Sequence, residues 1–178
     1  MTNTKKAIFI IIGLAIITTA FFFSKSSVVH AAKKEGTKFD DWVVTCTPKN
    51  GDDKTPQTCF LTQQINVGKD DKRQVLALYQ VGYFGDNKEL KIIQTLPLGV
   101  SVEAGTSIIS SGNMVAQGKY TTCTQAGCQA LANISDDELK KIISNDENSV
   151  AFMNVEGKQI NIPLSNKGLK KGLAFLRK

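Results

Sequence analysis

The chain has 178 residues, of which 42% are hydrophobic, 21% charged and 7% aromatic, and its formal charge is +6. That composition is ordinary for a globular domain and excludes a low-complexity, collagen-like or coiled-coil protein. Residues 1–31 hold Lys5, Lys6 and Lys25 and no acid, so the remainder has only a mild basic balance, without the basic stripe of a dedicated nucleic-acid binder.

The N-terminus reads as an export signal. Lys5 and Lys6 form a basic start, and residues 7–23 are apolar apart from Thr18 and Thr19. A short polar exit ends in Val29, His30 and Ala31, which predicts cleavage between Ala31 and Ala32. An uncleaved membrane anchor is the competing reading, but the run is at the short limit for crossing a bilayer. No cysteine near the run marks a lipoprotein. His30 is the only histidine, so the exported part has none. That excludes Ser-His-Asp and Cys-His nucleophile pairs, HExxH zinc sites and histidine proton shuttles.

Residues 32–38 read as a flexible polar arm, and residues 39–178 as a single domain. Residues 41–46 predict a strand with Trp42, Val44 and Cys46 on one face. Residues 47–58 are rich in turn formers and predict a loop. Strands follow over 58–67, 74–83 and 90–96, with charged turns between them. Shorter pieces are expected at 101–102 and 106–109, then strands over 114–123, 149–155 and 158–164. Turn signals about every ten residues indicate a β-sandwich or barrel. Two helices interrupt this pattern. Ser135-Asp-Asp-Glu138 is a capping box, followed by the apolar stripe Leu139, Ile142 and Ile143. The second helix is expected from near Ser165 to the end, with Leu169, Leu173 and Leu176 on one face. Gly168 and Gly172 weaken it, by about 1 kcal/mol each relative to alanine.

The four cysteines, Cys46, Cys59, Cys123 and Cys128, all lie beyond the signal. An even count behind a signal implies disulfides, and four cysteines allow three pairings. Cys46–Cys59 with Cys123–Cys128 is favoured, because each pair closes a short loop. A four-thiolate zinc site fits the Cys46–Cys59 spacing poorly. A redox-active Cys123/Cys128 pair is a further reading, although such pairs usually have two intervening residues and lie at a helix N-terminus.

Little else carries chemistry. The paired acids Asp40-Asp41, Asp52-Asp53, Asp70-Asp71 and Asp136-Asp137 are chain neighbours in turns or at a helix start, whereas a glycosidase needs carboxylates facing across a cleft. There is no phosphate-binding glycine loop and no Gly-x-Ser-x-Gly. No cofactor and no nucleic-acid partner is expected. The basic residues Lys167, Lys170, Lys171, Arg177 and Lys178 form a candidate surface for an anionic partner, and the plainer reading is a helix whose lysines are solvated while its leucines pack.

In order, the pieces Asp41-Trp-Val-Val-Thr-Cys46, Cys59-Phe-Leu-Thr-Gln63, Leu96-Pro-Leu-Gly-Val100 with Gly105, Cys123-Thr-Gln-Ala-Gly-Cys128, and Ile160-Asn-Ile-Pro-Leu-Ser165 with Gly168 resemble the invasion-associated locus B family of Gram-negative envelope proteins. The resemblance spans about residues 39–176. It implies an immunoglobulin-like sandwich in a protein that is periplasmic, outer-membrane-associated or secreted. Some members of the family are linked to bacterial entry into host cells. It carries over no catalytic residue. Two positions depart from the family pattern: Ser110-Ser111 stand where an acid is often found, and Leu169 where an aromatic is usual. The expectation is a non-enzymatic binding protein whose partner is a protein or glycan at the envelope or on a host surface. The alternative is a periplasmic thiol-disulfide or folding helper that uses Cys123 and Cys128.

Overall fold

The computed structural model describes residues 35–47 and 57–177. The predicted signal segment with its expected cleavage site at Ala31 and Ala32, the start of the arm, most of the 47–58 loop with Asp52 and Asp53, and Lys178 lie outside the described residues.

Among the described residues, ten antiparallel strands form one continuous ladder in the order β1-β2-β3-β4-β5-β8-β7-β6-β9-β10. They are β1 (Lys38–Phe39), β2 (Trp42–Cys46), β3 (Cys59–Val67), β4 (Gln74–Phe84), β5 (Glu89–Leu96), β6 (Thr106–Ser110), β7 (Asn113–Thr124), β8 (Gly127–Asn133), β9 (Asn148–Met153) and β10 (Gln159–Pro163). The ladder folds over at β7. Residues 113–118 of that strand pair with β6, and residues 119–124 pair with β8. A strand shared in this way makes the corner of a sandwich. One layer is β1-β2-β3-β4-β5-β8 with the second half of β7. The other is the first half of β7 with β6, β9 and β10.

Period-two burial builds the core between the layers. Trp42, Val44 and Cys46 are buried on β2, and Ala77, Tyr79 and Val81 on β4. Long polar side chains tie the layers together. The Tyr79 hydroxyl donates to the Ile162 carbonyl (3.3 Å), and the Trp42 Nε1–H donates to the Ser165 carbonyl (3.0 Å). The Ser165 N–H donates to Gln63 Oε1 at 3.0 Å, and the Ser165 hydroxyl to Asp41 at 2.6 Å.

The capping box is present at the start of α1 (Asp136–Ser144), which buries Leu139 and Ile142. Its carbonyl end is satisfied by side chains, as a helix end turned away from water requires. Ser110 Oγ donates to the Lys141 carbonyl, Asn148 Nδ2 to that of Ile142, and Asn166 Nδ2 to those of Ile143 and Asn145. Ser110, one of the departures from the family pattern, therefore docks this helix. The other departure, Leu169, is fully buried at the start of α2 (Leu169–Leu176).

Four differences from the sequence reading have physical causes. The 36–38 end of the arm joins the sheet, where Gly36 N–H donates to the Val44 carbonyl and Val44 N–H to that of Thr37. The piece at 101–102 is not a strand, because Val102–Ala104 make a 3-10 turn that ends at Gly105 with φ 65°. β8 carries only Cys128, Ala130 and Ala132 on its buried face, and alanine gives little strand signal. Finally, α2 begins after Gly168 rather than near Ser165. Gly168 is left-handed (φ 83°), and Ser165 is committed to Trp42, Gln63 and Asp41. The glycine at 172 has a packing reason, since a Cβ there would lie 2.6 Å from Leu61 Cδ1.

Candidate interaction surfaces

The cysteines form two cross-strand disulfides, Cys46–Cys59 and Cys123–Cys128. Each joins residues directly opposite in the ladder. They stand at opposite ends of the first layer. Cys59 opens β3, whereas Cys128 pairs with Leu96 at the close of β5. Cys128 is 2% exposed while Cys123 is solvent-exposed, and the pair lies on a β-hairpin rather than at a helix N-terminus.

The proposed basic surface is only partly assembled. Lys170 and Lys171 are exposed on the outer side of α2, opposite buried Leu169, Leu173 and Leu176. Lys167 instead lines a groove of about 460 Å³ together with Asp41 and Asp146. Arg177 is engaged elsewhere. Its Nε–H donates to the Tyr83 hydroxyl at 2.6 Å, its guanidinium lies 5.1 Å from the Tyr83 ring centroid, and it reaches Asp136 at 4.0 Å. The surface therefore mixes charges rather than presenting a uniform basic face.

Most of the paired acids among the described residues sit in turns or at a helix start. Asp40 and Asp70 hold left-handed turn positions, Asp41 accepts from Ser165, and Asp136 and Asp137 open α1. The Lys140 ammonium, 2.8 Å away, holds the Asp137 carboxyl below the usual carboxylate range.

The sequence reading missed an apolar end. The described residues include seven exposed large hydrophobic side chains, and six belong to segments at one end of the sandwich: Val67, Val75, Leu98, Val102, Val155 and Ile160. The sheet register explains this. The β3–β4 hairpin carries Val67 and Val75, and β5 runs alongside it to Leu96. The segment after Leu96 carries Leu98 and Val102. The β9–β10 turn docks on that segment through a Val155 N–H to Gly99 carbonyl bond and a Val100–Asn154 bridge. Ser101, Met153, Asn154 and Val155 line a shallow groove of about 370 Å³ there. The charges at this end carry both signs: Lys69, Lys72, Arg73 and Lys158 against Asp70, Asp71, Glu103 and Glu156. Apolar residues at the ends of strands and in the segment after Leu96 were the available signal.

The fold and its two staples define a disulfide-stabilised β-sandwich with a mixed, partly apolar surface. The family model described as "Invasion associated locus B (IalB) protein" matches residues 42–177, and the chain belongs to that family. Among solved structures it is similar to the crystal structure of invasion associated protein B from Bartonella henselae. The TM-score is 0.64 at 16% identity, covering 79% of this chain and 93% of that one. At that identity the likeness shows the fold. No curated protein matches.

Proposed function

We propose that this protein is exported and works by binding, without catalysis of its own, to a protein at the bacterial envelope or on a host surface. The apolar end carries this reading. Soluble domains seldom gather exposed apolar side chains on adjoining loops, and such patches mark interaction sites. The balanced charge around it fits a protein partner better than a polyanion. Family membership supports an envelope or invasion-associated role. Among the described residues no helix is long and apolar enough to cross a membrane.

The test is photo-cross-linking from single positions in living cells. Probes at Leu98 and Val155 should give a discrete adduct, while probes at Ala174 on the outer side of α2 should not. Equal labelling from both places would remove the reading. Protease treatment of intact cells, with a periplasmic leakage control, then decides between an envelope and a host partner.

The exposure of Cys123 favours a second reading, a thiol-disulfide or folding helper, because an incoming thiolate can reach that side of the bond. A reduction potential below about −300 mV, as in structural disulfides, would remove it.

A further inference from the structure

The corner of the sandwich holds polar groups without a partner among the described residues. Gln63, Tyr79, Gln94, Ala130 and Tyr120 lie directly opposite one another across β3, β4, β5, β8 and β7, so they share the core-facing side. Gln63 and Tyr79 bond across to the other layer. Gln94 is fully buried, yet neither Nε2 nor Oε1 has a partner among the described residues. Thr106, 3% exposed on β6, has an Oγ1 in the same condition, and so does the Tyr120 hydroxyl.

Small residues line this corner. Ala130 and Ala132 are on β8, and Gly118 is the residue of β7 that pairs with Thr106, where the strand passes from one layer to the other. The three nearest atoms to a Cβ built on Gly118 are all polar. They are Thr106 Oγ1, Gln94 Nε2 at 3.3 Å and the Leu131 carbonyl oxygen at 3.5 Å. Gln94 Nε2 and Thr106 Oγ1 thus both lie close to Gly118 without bonding each other.

We infer that this corner is an internal water site, in which an ordered water accepts from the Gln94 amide and bonds the Thr106 hydroxyl beside Gly118. A buried primary amide left unsatisfied is strongly disfavoured, and a polar pocket with two to four partners is what retains a water in a protein interior. Glycine at 118 is required because a methyl group would press on Thr106 Oγ1.

The test is a crystal structure that orders solvent, paired with NMR magnetisation transfer from long-lived water to the Gln94 side-chain amide. The expected result is a water within hydrogen-bond distance of both Gln94 and Thr106, a transfer peak at the Gln94 amide, and loss of that peak in Gln94→Leu. The native protein decides the matter even if that variant fails to fold. A direct Gln94–Thr106 hydrogen bond, or a dry corner with no transfer peak, overturns the inference.

Discussion

Trp42 and Ser165 stand 123 residues apart in the chain, yet the indole N–H of one donates to the carbonyl of the other at 3.0 Å. This bond joins β2 to the segment that follows β10, and so joins the two layers. Trp42→Phe removes the donor and leaves that carbonyl short of a partner. The expected cost is about 1–3 kcal/mol, measured by urea unfolding. A variant as stable as the parent would show that the layers are held without this contact.

Gly172 lies inside α2, where alanine would ordinarily stabilise by about 1 kcal/mol. Here the added methyl meets Leu61, which is fully buried. Gly172→Ala is therefore expected to destabilise, by about 1–3 kcal/mol through overpacking. Paired Gly172→Ala and Leu61→Ala variants should show strong coupling, because the second change makes room for the first.

Burial raises the ionisation of Tyr79 far above its ordinary value of 10.0 and pushes Tyr120 up to about 12. An unfolded chain would ionise both near 10. Their contribution to stability is therefore complete below pH 10 and is lost as the pH rises through 12. Alkaline unfolding should track the appearance of tyrosinate absorbance. Tyr120→Phe should make stability fall less steeply between pH 10 and 12. An unchanged slope would mean that Tyr120 titrates freely in the folded protein.

The two disulfides differ in the loops they close, with chain separations of 13 and 5 residues. On chain-entropy grounds, replacing Cys46 and Cys59 by alanine should cost about 3 kcal/mol, and replacing Cys123 and Cys128 somewhat less. Thermal unfolding of the two double variants gives the order. The reverse order would point to native-state packing around Leu96 as the larger contribution of the second bond.

Much of this fold can be read from the chain. The alternation of Trp42, Val44 and Cys46 marked a half-buried strand, and Ser135 with Glu138 marked a helix start. Both signals are local, set by backbone geometry within a few residues. β8 escaped because its buried face is built from Cys128, Ala130 and Ala132, which owe their burial to their neighbours rather than to their own β preference. The start of α2 escaped because Ser165 is held by Asp41, Trp42 and Gln63, contacts more than a hundred residues distant. The apolar end is the clearest case. Val67, Leu98 and Val155 belong to three separate segments, and only the register of β3, β4 and β5 with the docking of Val155 on Gly99 brings those segments to one end. The basic cluster is the opposite case. Lysines and an arginine close in sequence were divided by the fold, with Lys167 among acids and Arg177 held on Tyr83.

The central claim is that the protein binds through its apolar end. Its most direct test is saturation binding of the labelled protein to intact bacterial and host cells, comparing Leu98→Lys/Val155→Lys with Lys170→Gln/Lys171→Gln. Both pairs replace exposed side chains, so folding should be little affected. The account predicts saturable binding that weakens at least about tenfold in the first variant, the equivalent of about 1.4 kcal/mol, and is unchanged in the second. Binding that survives the first and is lost in the second would contradict it and return the contact surface to the outer side of α2.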